Sequence, residues 1–147
     1  MPIRILVADD HATFRQKLKA LLKREGFAVV GEASDGQEAV KLARELHPDV
    51  ALLDFAMPVL NGVDAARKML RASPGTKTIL LTVRGETHYI LEAFRAGMSG
   101  YVLKRRLSEE LPQAIHAVSE GRTYLCAGAS HILVQALLDR TKPPEAH

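Results

Sequence analysis

Ile3-Arg4-Ile5-Leu6-Val7-Ala8-Asp9-Asp10 runs through a nearly unbroken apolar stretch straight into two carboxylates, and this junction decides the fold. Apolar residues on consecutive positions, rather than on every second one, mark a strand covered on both faces, the usual condition in a parallel sheet. Four further runs of this kind occupy residues 28–33, 50–53, 78–81 and 101–103. Helical periodicity fills the intervals. Phe14, Leu18, Leu21 and Leu22 fall at i, i+4, i+7 and i+8 ahead of Gly26. A second helix opens at Asp35, a capping residue with Glu38 three positions on, turns Ala39, Val40, Ala43 and Leu46 inward, and ends before Pro48. A third places Val63, Ala66, Met69 and Leu70 on one side and stops before Pro74; a fourth carries Ile90, Leu91 and Phe94 up to Gly97. The fifth begins at Ser108, with Glu109 and Glu110 at the positive end of its dipole, Pro112 still in the first turn, and Ile115 and Val118 facing the sheet before Gly121. Strand and helix alternating five times predict an α/β, doubly wound parallel sheet over residues 1–121.

Composition agrees with a single globular unit. The 147 residues are 47% hydrophobic and 25% charged, and 20 Lys+Arg against 17 Asp+Glu give +3, too slight a balance to imply a nucleic-acid surface. A lone cysteine, Cys126, excludes an internal disulfide and a cysteine zinc site. No apolar run approaches the ~18 residues of a membrane span, and the early carboxylates interrupt any signal-peptide core. Secretion and membrane contact are not expected; the expected compartment is the cytoplasm. Residues 122–147 read differently, as a linker helix capped by Ser130 and carrying Ile132, Val134, Leu137 and Leu138, then a charged, proline-bearing tail. So short a helix needs a partner surface for its apolar side.

The polar residues lie at the ends of the strands. Asp9 and Asp10 follow the first run, Asp54 the third, Thr82 the fourth and Lys104 the fifth. In an open parallel sheet such ends emerge along one edge, where ligands bind. If the first and third strands are neighbours, roughly 4.8 Å apart, three carboxylates share a pocket. Like charges ~4 Å apart at an effective dielectric near 20 repel by roughly 4 kcal/mol, so the cluster must take up protons or bind a cation. Carboxylate oxygens, a backbone carbonyl near Ala56 and water suit magnesium better than zinc. With Lys104 and Thr82 contributing a cation and a hydroxyl, Asp54 has the surroundings of a nucleophile towards phosphorus.

Taken together, Asp9-Asp10, Asp54 with Met57-Pro58 and Asn61-Gly62 after it, Thr82 and Lys104 resemble the receiver domain of two-component response regulators. The resemblance covers residues 1 to about 121 and implies a flavodoxin-like (βα)5 sheet of strand order 2-1-3-4-5. It implies that Asp54 takes a phosphoryl group from a sensor histidine kinase, and that Asp10, Asp54 and the Ala56 carbonyl hold Mg²⁺, or Mn²⁺ in its place, with Asp9 acting largely through water. Thr82 and Lys104 would contact the phosphoryl oxygens, and Thr82 with Tyr101 would form the switch. Such a domain is a signalling phosphoacceptor rather than an enzyme. Asp9-Asp10-His11, Tyr101 three residues before Lys104, the segment 121–125, and Arg105 where many receivers carry proline are similar to the NarL/FixJ branch with a LuxR-type helix-turn-helix output. That DNA-binding domain is expected to lie outside this chain, so DNA would be reached only through it, and a homodimer would form on phosphorylation.

Other readings are weaker. A receiver acting alone through protein contacts is the main alternative. A haloacid-dehalogenase-like phosphatase lacks its Asp-x-Asp signature here, since Phe55-Ala56 follows Asp54, and no phosphate-cradling glycine loop exists for nucleotide hydrolysis. His11 is expected near the acidic pocket, Lys104-Arg105-Arg106 on solvated loop surface, and Gly62 where the backbone needs freedom. Ala56 and Arg84 fall at positions that govern the lifetime of the phosphorylated form in this family.

Overall fold

Five strand–helix units form where the apolar runs and periodic stretches place them. The computed structural model describes residues 2–83, 87–126 and 129–141. In chain order the elements are β1 (Arg4–Ala8), α1 (Ala12–Arg24), β2 (Ala28–Ala33), α2 (Gly36–Leu46), β3 (Val50–Asp54), α3 (Gly62–Ala72), β4 (Lys77–Thr82), α4 (Thr87–Arg95), β5 (Gly100–Leu103), α5 (Leu107–Ser119), β6 (Tyr124–Leu125) and α6 (Ala129–Thr141). The strands pair in the order β2-β1-β3-β4-β5-β6, all parallel, which is the expected 2-1-3-4-5 arrangement extended by one strand.

Consecutive apolar residues in each central strand feed two cores. Leu6, Ala8, Ala51, Leu53, Leu80 and Tyr101 belong to one, with α2, α3 and α4. Ile5, Val7, Val50, Leu52, Ile79 and Val102 belong to the other, with α1 and α5. Asp35 caps α2 by accepting from the Glu38 backbone N–H at 2.8 Å, while Glu38 reaches back to Ser34 N–H at 3.3 Å, one residue earlier than a standard capping box.

Some details depart from the sequence reading. Leu70 is 48% exposed, and α3 buries Val63, Ala65, Ala66 and Met69 instead. Leu46 is only half-buried. A single 3-10 turn, Lys104–Arg106, carries the chain out of β5, so α5 starts at Leu107 rather than Ser108. Ser130 lies within the first turn of α6 and not before it.

Beyond residue 121 the chain returns to the sheet. Tyr124 N–H donates to Ser99 O at 2.9 Å and Cys126 N–H to Tyr101 O at 3.0 Å, making β6. A two-residue strand has no readable periodicity. Helix α6 packs on α4, and its Leu133 joins the α2/α3/α4 core. Val134, Leu137 and Leu138 remain about half exposed. Arg84 and the tail 142–147 lie outside the described residues. Among those described, no helix is long and apolar enough to cross a membrane.

Candidate functional site

Parallel register brings the strand ends to one edge. Ala8 pairs with Leu53 and Asp54 with Leu81, so Asp9 emerges beside Asp54, and Thr82, opposite Leu103, ends β4 next to both Asp54 and Lys104. Asp9 is fully buried, Asp54 and Thr82 nearly so. Ligand atoms of Asp9, Asp10, His11 and Asp54 all lie within 4.8 Å of one another. The Lys104 ammonium, itself largely buried, donates to Asp9 Oδ2 at 2.7 Å and pairs with Asp54 Oδ1 at 3.0 Å.

A purely capping role for the first two carboxylates is excluded by this geometry. The N-cap of α1 is His11, whose side chain makes no cap; Asp9 Oδ1 accepts the His11 backbone N–H at 2.8 Å while its other oxygen faces Lys104. Asp10, more exposed, sits 3.1 Å from His11 Nδ1. Burial pushes the Asp54 carboxyl above the usual carboxylate range; Lys104 pulls against this, and Asp9 and Asp10 add to the rise. For Lys104, burial opposes the charge, yet hydrogen bonds and attraction from Asp9 and Asp54 hold its pKa above the ordinary lysine value.

Two supporting groups escaped the sequence reading. The Phe14 ring lies under the Lys104 ammonium, 4.1 Å from its centroid, adding a cation–π contact to what looked like an ordinary inward position. Arg15 donates to the Asp9 carbonyl at 2.7 Å and to Glu32 at 3.0 Å, and Lys19 also reaches Glu32, at 2.6 Å. A glutamate inside the apolar run 28–33 was the available signal.

The loop after Asp54 forms one wall. Ala56 lies exposed two residues beyond Asp54, and Met57 is buried. Gly62 does not supply conformational freedom. It opens α3 pressed against the Asp54 carbonyl, where a Cβ would collide. The left-handed residue is instead Val59, at φ +69° and 74% exposed. That conformation costs an L residue ~1–2 kcal/mol, more for a β-branched one, against ~1 kcal/mol of extra chain entropy in glycine. Val59→Gly is expected to raise stability by about 1 kcal/mol in urea unfolding; an unchanged midpoint would show the loop relaxes the strain. Tyr101 sits three residues inside the edge, fully buried, on the α4 side of the sheet.

The donor set fits a hard divalent cation. Among the described residues, three carboxylates against one ammonium leave a formal −3 + 1 = −2, and the acidic donors are oxygens, with His11 as the imidazole beside them.

A family model for the response regulator receiver domain matches residues 5–116. Response regulator GacA of Pseudomonas aeruginosa is 39% identical over 146 residues, covering 99% of this chain and 66% of that protein. The transcriptional regulatory protein DegU of Brevibacillus brevis is 35% identical over 134 residues, covering 90% and 57%. The chain therefore spans less than two thirds of the length of these relatives. Among solved structures, a LuxR-family two-component response regulator from Aurantimonas sp. SI85-9A1 superposes with a TM-score of 0.88 at 33% identity, covering 94% of this chain and 99% of that one. The signal receiver domain of NarL from Mycobacterium tuberculosis gives 0.77 at 33% identity, covering 82% and 98%.

Proposed function

Because this chain belongs to the response regulator receiver domain family, we propose that Asp54 accepts a phosphoryl group from a phosphohistidine on a sensor histidine kinase. The observation that best supports this is the Lys104 ammonium placed between Asp54 and Asp9 at the rim of the sheet. An Asp54 oxygen forms the new P–O bond as the P–N bond of the donor breaks; the bonding pair leaves with the imidazole, which takes a proton from solvent. Lys104 then holds a phosphoryl oxygen, and the Thr82 hydroxyl donates from the neighbouring strand. Asp10, Asp54 and the Ala56 carbonyl would hold Mg²⁺, with Mn²⁺ as a substitute and Asp9 acting largely through water. When bound, the cation supplies positive charge against the phosphoryl oxygens.

Residues 1–121 act as the phosphoacceptor domain, and 122–147 as a linker helix and tail leading to a DNA-binding output of LuxR type. The name of DegU, a transcriptional regulatory protein, supports this reading, as does the LuxR-family structure. Thr82 and the inward Tyr101 form the switch, and phosphorylation favours a homodimer in the cytoplasm.

Incubation with acetyl phosphate and Mg²⁺, followed by intact mass, should show one labile phosphoryl adduct that Asp54→Asn abolishes. The same substitution removes a carboxylate that burial disfavours, so Asp54→Asn should melt about 3 °C higher without added cation, roughly 1 kcal/mol. Turnover of small phosphate esters without an adduct would overturn the reading in favour of a phosphatase.

A further inference from the structure

The Lys104 turn and β6 converge on one buried carboxylate of α5. Glu110, in the first turns of α5, is 7% exposed although its neighbour Glu109 faces solvent. Its Oε1 accepts the Tyr124 hydroxyl at 2.8 Å, and its Oε2 pairs with Arg106 Nε at 3.0 Å. Arg106 closes the turn that Lys104 opens, and Tyr124 begins β6. Burying a carboxylate costs several kcal/mol unless its oxygens find partners; Oε1 takes a hydrogen bond from β6 and Oε2 an ion pair, without hydrogen-bond geometry, from the turn, and Glu110 thereby ties the two segments together. The turn itself, Lys104-Arg105-Arg106, contains no proline to stiffen it. Burial, followed by the hydrogen bond and charge of Glu110, pushes the Tyr124 hydroxyl up to about 12, so it remains a donor at any working pH. Strand β6 in turn pairs with β5 at Tyr101.

We propose that Glu110 is a positioning residue that, through Arg106 and Tyr124, fixes the turn presenting Lys104 and links that turn to β6, so that an anion held on Asp54 is felt at residues 124–126. This rests on the phosphoacceptor reading of Asp54.

The test uses the full chain, Mg²⁺ and beryllofluoride as the phosphoryl mimic, with affinity and amide hydrogen exchange as readouts. In the wild type, beryllofluoride should slow exchange at Tyr124 and Cys126. Glu110→Gln keeps an acceptor for Tyr124 but loses the pair with Arg106, and should weaken beryllofluoride binding about tenfold. Tyr124→Phe removes a single hydroxyl from the edge strand and should bind beryllofluoride while its exchange at Cys126 no longer responds. Wild-type affinity in Glu110→Gln, or an undiminished response in Tyr124→Phe, overturns the clamp alone. A wild type that takes no beryllofluoride overturns the role of Asp54, and the clamp with it.

Discussion

Lys104→Met lowers folding stability by about 3 kcal/mol at pH 7, and millimolar Mg²⁺ restores most of the loss. Removing one member of a buried ion pair leaves the other charge uncompensated, which typically costs 3–5 kcal/mol. Here two carboxylates are stranded, since Asp9 is fully buried and the Asp54 side chain is 6% exposed. Methionine is unbranched and of similar length but lacks the ammonium, so the change removes the charge together with its contact over the Phe14 ring. The pH dependence has a definite sign. Asp54 already titrates above its ordinary value because of burial, and Lys104 is the group pulling it down. Without the ammonium its folded pKa climbs further. A carboxyl raised in the folded state costs stability while ionised and recovers it when protonated, so the deficit is largest at neutral pH and shrinks as pH falls through the raised value. Urea unfolding at several pH values, with and without Mg²⁺, reads this directly; a deficit independent of both would mean that lost packing, not stranded charge, is responsible.

The second large effect belongs to a residue with no chemistry of its own. A Cβ on Gly62 would run into the Asp54 carbonyl oxygen and would meet the Asp54 carbonyl carbon at 3.0 Å and Leu80 Cδ1 at 3.1 Å. Backbone cannot step aside as a flexible side chain can, and Gly62 N–H is also bonded to Phe55 O at 3.1 Å. Gly62→Ala therefore shifts the end of β3, at about 2–3 kcal/mol. Because a displacement near 1 Å at a reacting atom costs roughly 10²-fold, phosphoryl uptake from acetyl phosphate should slow by that order. Gly75→Ala, where a Cβ meets nothing within 4 Å, is the control. Uptake at the wild-type rate in Gly62→Ala would show that β3 tolerates the intrusion.

How far the sequence foretold this arrangement depends on which physical signal each residue left. Strands covered on both faces must be continuously apolar, so β1 to β5 were visible, and topology then delivered Asp9, Asp10, Asp54, Thr82 and Lys104 to one edge without any knowledge of side-chain geometry. Phe14 was legible only as inward-facing, because periodicity cannot say what an aromatic ring lies beneath. Glu110 read as a dipole-matching acid, although its spacing four residues before Ala114 and eight before Val118 sets it on the inward stripe that Glu109 misses. Leu70 belonged to the right stripe by spacing but sits at its margin. Gly62 reads as the residue that gives this loop its backbone freedom, while the left-handed dihedral of the loop falls on Val59, which composition alone would place last.

Helix α6 packs on α4 and extends for 13 residues, about 20 Å of rod. Rotation by ten degrees at the seat therefore carries the distal end through about 3–4 Å, several times the travel at the point of contact. Geometry alone turns a tilt of this rod, too small to break the core, into a larger stroke at whichever end lies farther from the contact.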